Sequence, residues 1–62
     1  MIEIEDTSYV EVTDSTSFRC TFKKSAYQII FDRSLPGDLD EAQIAAEMQD
    51  EYDKWIERNN IP

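Results

Sequence analysis

Along the first half of the chain apolar side chains alternate with polar ones, and along the second half they recur at spacings of three and four. That change of period predicts strands with one buried face over residues 1–34 and an amphipathic helix over residues 38–60. Ile2 and Ile4 alternate with Glu3 and Glu5 before Asp6-Thr7-Ser8 interrupts. Alternation resumes from Tyr9 to Thr13, with Val10 and Val12 on one side and Tyr9 and Glu11 on the other. From Ser17 to Lys23, Phe18, Cys20 and Phe22 share one face while Arg19, Thr21 and Lys23 share the other. Tyr27, Ile29 and Phe31 form a further apolar row after Lys24-Ser25.

Asp14-Ser15-Thr16 carries turn chemistry, because short polar side chains bond nearby backbone groups. A turn there sets Val12 opposite Phe18, Val10 opposite Cys20, and Glu11 beside Arg19 as an opposite-charge pair. The next turn sets Phe22 opposite Tyr27, Cys20 opposite Ile29 and Phe18 opposite Phe31. Both hairpins then bury the same rows, whereas a slip of one residue exposes all of them. Neither turn has an Asn-Gly or Asp-Gly pair to fix its length.

Asp32 to Gly37 reads as a connector, and the helix start is written clearly after it. Asp40 is a suitable N-cap, Gln43 completes a capping box, and Leu39 with Ile44 forms a hydrophobic staple. Glu41 suits the positive end of the helix dipole. Ile44, Ala45, Met48, Tyr52, Trp55 and Ile56 make one apolar stripe, and Asn59-Asn60 predicts the end near residues 58–60. Such a helix is long beside five- or six-residue strands, so Trp55 is expected to overhang the sheet. The fold class is α+β: a three- to four-stranded antiparallel meander, βββα or ββββα, under one C-terminal helix.

Sixty-two residues support one hydrophobic core and therefore one domain, residues 1–62. A core of that size yields roughly 3–5 kcal/mol, so packing alone or self-association must suffice. Cys20 is the only cysteine and histidine is absent, which removes intrachain disulfides and the common zinc ligand sets. Fourteen carboxylates against six basic residues give a net charge of −8, which disfavours direct contact with nucleic acid or anionic membrane. The N-terminal residues show no signal-peptide pattern, and no stretch approaches the ~18 apolar residues a membrane span needs. A cytoplasmic location is expected, and a lone thiol agrees with it.

Candidate chemistry is sparse. Without histidine no Ser-His or Cys-His nucleophile pair can form, and with one glycine no P-loop or dinucleotide fingerprint can be written. No catalytic, cofactor-binding or metal-binding residue is assigned, and no cofactor is expected. Cys20, central in an inward row, reads as a small buried hydrophobe. Asp38, Asp40 and Glu41 lack the ligand pattern of a calcium loop.

Two surfaces remain as partner-binding candidates. The outer helix face carries Glu47, Asp50, Asp53 and Glu57 at spacings of three and four, with Lys54 among them and Glu3, Glu5 and Asp6 as an extension. Such a row docks a basic surface or imitates a phosphate strand. The outward face of the sheet carries Tyr9 and Ile30, which with an overhanging Trp55 would make an apolar patch. An unpaired sheet edge at residues 2–5 or 26–31 also leaves room for a second copy. The first reading is a non-enzymatic interaction module for a larger protein partner, in general look a small accessory or phage-type protein. The alternatives are an acidic decoy that blocks a basic nucleic-acid-binding groove, and a structural subunit of a larger assembly.

Overall fold

The computed structural model describes residues 1–62. Three antiparallel strands, β1 (Ile2–Val10), β2 (Ser15–Lys24) and β3 (Tyr27–Pro36), form one open sheet in the order β1-β2-β3, followed by helix α1 (Glu41–Arg58). The architecture is the βββα form of the expected α+β class.

Asp6-Thr7-Ser8 does not break the first strand. Glu5 pairs with Arg19 and Ser8 with Ser17, so β1 carries one extra residue there, a β-bulge with Asp6 at φ 54°. The bulge exchanges the faces of β1. Ile2 and Ile4 stand opposite Phe22 and Cys20 on the helix side, whereas Tyr9 falls opposite Thr16 and Val10 opposite Ser15. The expected pairs Val12–Phe18, Val10–Cys20 and Glu11–Arg19 are therefore not formed. The turn lies at residues 11–14, closed by the Asp14 N–H donating to the Glu11 carbonyl (3.2 Å), and Val12 at its tip is 96% exposed. Asp14 supplies the positive φ (47°) that this turn needs without a glycine.

The second hairpin is tighter than expected by two residues. Lys24 pairs with Tyr27, leaving Ser25-Ala26 as the loop with only Ser25 at positive φ (56°), the type II′ arrangement. Phe22 thus faces Ile29, Cys20 faces Phe31 and Phe18 faces Arg33, replacing Phe22–Tyr27, Cys20–Ile29 and Phe18–Phe31. A shift of two preserves the faces, so the inward rows are the expected ones although the partners differ.

Helix α1 starts as its sequence dictates. The Gln43 N–H donates to Asp40 Oδ1 (2.8 Å) and the Asp40 N–H to Gln43 Oε1 (2.9 Å), a complete capping box. Its other end is a Schellman motif. Asn60 takes φ 52°, its N–H donates to the Glu57 carbonyl, and the Ile61 N–H donates to the Ile56 carbonyl (3.0 Å), which tucks Ile61 into a buried position. Strands of nine and ten residues run about as far as an 18-residue helix, so α1 does not overhang the sheet.

The core comprises Phe18, Cys20 and Phe22 of β2 against Ile44, Met48 and Tyr52 of α1, with Ile2, Ile4, Phe31, Leu35, Leu39, Trp55 and Ile56 partly buried around it. Aromatic rings meet edge to face: Phe22 lies 5.1 Å from Phe31 and 5.4 Å from Tyr52. Thr16, wholly buried in the same row, donates from Oγ1 to the Gly37 carbonyl (2.7 Å) and accepts the Leu39 N–H (3.0 Å). That hydroxyl anchors the connector between sheet and helix. The Met1 ammonium and the Tyr52 hydroxyl both donate to the Lys23 carbonyl, and the ammonium also donates to the Tyr52 oxygen.

Candidate interaction site on strand β3

The backbone of α1 approaches β1 more closely than it approaches β2 or β3. The inward row of β3 is therefore only partly covered. Tyr27 is 50% and Ile29 39% exposed, Phe31 is half-buried, and Arg33 lies over the Phe31 ring at 5.1 Å. Placing Tyr27 and Ile29 with the core, as their periodicity suggests, is corrected by this offset. The signal was present in Arg33, a charged residue in an otherwise apolar row, which marks the margin of the buried zone.

Between β3 and the last turns of α1 lies a groove of about 210 Å³, floored by Phe22 and Phe31, walled by Ile29 and Trp55, and rimmed by Arg33, Glu51 and Arg58. It falls below the ~300 Å³ of small-molecule pockets and suits one protein side chain. Arg33 holds Glu51 in a two-pronged pair at 2.9 and 2.7 Å, and this bond first of all raises the guanidinium pKa. Arg58 makes no salt bridge, and neither do Lys23 and Lys24 at the same end of the molecule. Beside the groove runs the outer edge of β3, paired with β2 on one side only and in unbroken register from Tyr27 to Pro36.

The residues singled out from the sequence are dispersed. Trp55 packs half-buried on Phe22 (5.7 Å) and Tyr52 (5.9 Å) instead of overhanging, so it joins the groove and not the outer face. Ile30 is outward-facing and 56% exposed. Tyr9, carried to the helix side by the bulge, donates its hydroxyl to Asp14 Oδ1 (2.6 Å), a bond that raises its pKa. Tyr9, Ile30 and Trp55 consequently form no common patch.

Glu47, Asp50, Asp53 and Glu57 are all exposed on α1, yet Lys54 pairs with Asp50 at 3.0 Å and Gln49 donates to Asp53 at 3.0 Å. The carboxylate row is interrupted at its centre. Glu3 and Glu5 face away from the helix, opposite Thr21 and Arg19, so they do not extend it. Arg19 instead bridges the outer face, reaching Asp6 on β1 (3.4 Å) and Asp32 on β3 (3.0 Å). Cys20 is fully buried, and burial first, then Glu51, push its thiol pKa up to about 11 against the opposing effect of Arg33. The Asp40 carboxylate is engaged in the helix cap. No helix is long and apolar enough to cross a membrane.

No protein-family model, curated protein or solved structure matches this chain.

Proposed function

We propose that this chain is a non-enzymatic interaction module that engages another polypeptide, such as a segment of a larger protein partner, along β3 and the groove beside it. One observation carries the reading. Tyr27, Ile29 and Ile30 are exposed on a single edge strand, where an incoming strand finds free main-chain groups and, one side chain away, an aromatic-lined groove. Strand addition takes affinity from the backbone and selectivity from such alternate pockets. Tyr, Trp and Arg, the residue types that most often dominate binding energy, are all represented there by Tyr27, Trp55 and Arg58.

Selection of short peptides from a random library on the immobilised chain, followed by mapping of the bound peptides by NMR shifts, tests this reading. Extended peptides with alternating apolar side chains are expected, with shifts confined to β3, Phe22 and Trp55. Recovery of no peptide, or shifts centred on Glu47 to Glu57, would remove the proposal. The decoy reading draws no support from the geometry, because Lys54 divides the row of carboxylates it depends on.

A further inference from the structure

The two margins of the sheet are built differently. β1 is bent by the bulge at Asp6, carries Glu3 and Glu5 side by side on its outward face, and lies nearest α1. Bulges and charges of this kind are how sheets prevent edge-to-edge pairing. β3 is less protected: no bulge interrupts it, its only proline is the terminal Pro36, its charges Asp32 and Arg33 are engaged by Arg19 and Glu51, and the run before them, Ile29-Ile30-Phe31, carries no charge.

The β3 sequence is also complementary to itself. In an antiparallel pair centred on Ile30, Ile29 meets Phe31 of the second copy, Tyr27 meets Arg33, and Gln28 meets Asp32. Ile30 meets Ile30. Residues paired in this way have the same parity, so the helix-facing rows of both copies stay on one side and the two helices flank a common face. Registers centred on Asp32 or Arg33 instead set like charges directly opposite each other, which is destabilising.

The charge distribution points the same way. Lys23, Lys24 and Arg58, which have no salt-bridge partner, lie at the end where β2 turns into β3 and α1 finishes. Asp14, Asp38 and Asp40 lie at the opposite end, where the Gly37 N–H donates to the Asp14 carbonyl and α1 begins. Antiparallel pairing sets Tyr27, with Lys24 paired to its other side, level with Arg33 of the second copy, and Ser34 to Pro36 of that copy run on past the Ser25-Ala26 turn, so the basic end of each molecule points towards the acidic end of the other.

We infer that β3 pairs with β3 of a second copy in the register centred on Ile30, forming a six-stranded sheet across a two-fold axis. The inference rests on the reading of β3 as the contact site and names its occupant. A two-fold interface of this type closes on itself, so assembly stops at the dimer.

Sedimentation equilibrium of the chain alone, with cysteine cross-linking under an added oxidant, tests it. Directly opposed residues of an antiparallel pair have Cα atoms about 4.5–5.5 Å apart, within the ~4.4–6.8 Å that a disulfide spans, so Ile30→Cys can be oxidised to a covalent dimer. Gln28→Cys is the control, since its two copies stand about 14 Å apart in this register. The expected results are a concentration-dependent dimer, rapid cross-linking of Ile30→Cys but not of Gln28→Cys, and an association constant about tenfold or more lower for Ile30→Lys. Ile30 is exposed, so these variants keep the fold. A monomer at every concentration overturns the second-copy inference while leaving the peptide-selection test to decide the broader reading. A dimer that cross-links through Gln28→Cys and not through Ile30→Cys overturns the register and with it the inference.

Discussion

Thr16 and Cys20 stand on either side of Phe18 in one inward row of β2, and each is held by a different physical constraint. The Thr16 hydroxyl is buried between the Gly37 carbonyl and the Leu39 N–H. Thr16→Val conserves shape but removes the partner of both groups, so a loss of about 1–3 kcal/mol is expected in urea denaturation. Thr16→Ser keeps the bonds and should lose clearly less. Cys20 is governed by desolvation. Its thiol is held neutral in the fold with a pKa near 11, against an ordinary value of 9.0. The associated stability is fully present below pH 9 and is lost as pH rises from 9 towards 11, where the unfolded chain ionises and the folded one does not. Urea midpoints of wild type and Cys20→Ala should run parallel below pH 9 and diverge above it, the wild type falling faster. Curves parallel throughout would contradict this account of the thiol.

At the scale of elements, the helix was legible almost residue by residue because its signals are local. Asp40, Gln43, Leu39 and Ile44 encode the start within six positions, and the capping box is present as written. Asp40→Ala is expected to cost about 1 kcal/mol, read as a lower unfolding midpoint, with Asp40→Ser retaining most of it. The helix end was legible only as a position, since its Schellman geometry depends on Asn60 entering the left-handed region. Strand pairing was less legible for the same reason. Asp6, Asp14 and Ser25 all take positive φ without glycine, which sequence alone does not announce. Each shifts a register: Asp14 closes a turn at residues 11–14 that takes Val10 and Val12 out of the core, Asp6 brings Ile2 and Ile4 into it, and Ser25 moves Phe22 from Tyr27 to Ile29. Periodicity found the faces of β2 and β3 correctly because faces are a property of one strand while partners belong to two, and it failed for Tyr9, Val10 and Val12, where the bulge switches the face within β1 and Val12 falls in the turn.

The same limit applied to the candidate site. Trp55 and Ile30 were identifiable as unusual residues, but the exposure of Tyr27 and Ile29 follows from where α1 sits across the sheet, a choice among packings that no local pattern records.

The whole molecule is elongated, 40 × 17 × 16 Å, with a radius of gyration of 12.3 Å where a compact chain of this length has about 10.5 Å. Long hairpins beside one helix leave only nine of 62 residues buried. A thin core of this kind gains from any partner that covers β3, which ties the shape to the proposed contact. Charge is arranged along the long axis, with Lys23, Lys24 and Arg58 at one end and Asp14, Asp38 and Asp40 at the other. Lys24→Glu should therefore weaken self-association several-fold, and adding Asp38→Lys should restore part of it, as measured by sedimentation of the single and double variants. A double variant that associates no more strongly than Lys24→Glu alone would contradict the antiparallel arrangement.

The claim that β3 is the pairing edge and β1 the protected one is tested most directly by residue-resolved amide hydrogen exchange at high and low protein concentration. In both outer strands alternate N–H groups point away from β2. The account predicts that those of β3 exchange slowly in concentrated solution and quickly on dilution, while those of β1 exchange quickly in both. Outward amides of β3 that exchange quickly at every concentration, or concentration-dependent protection appearing on β1 instead, would contradict it.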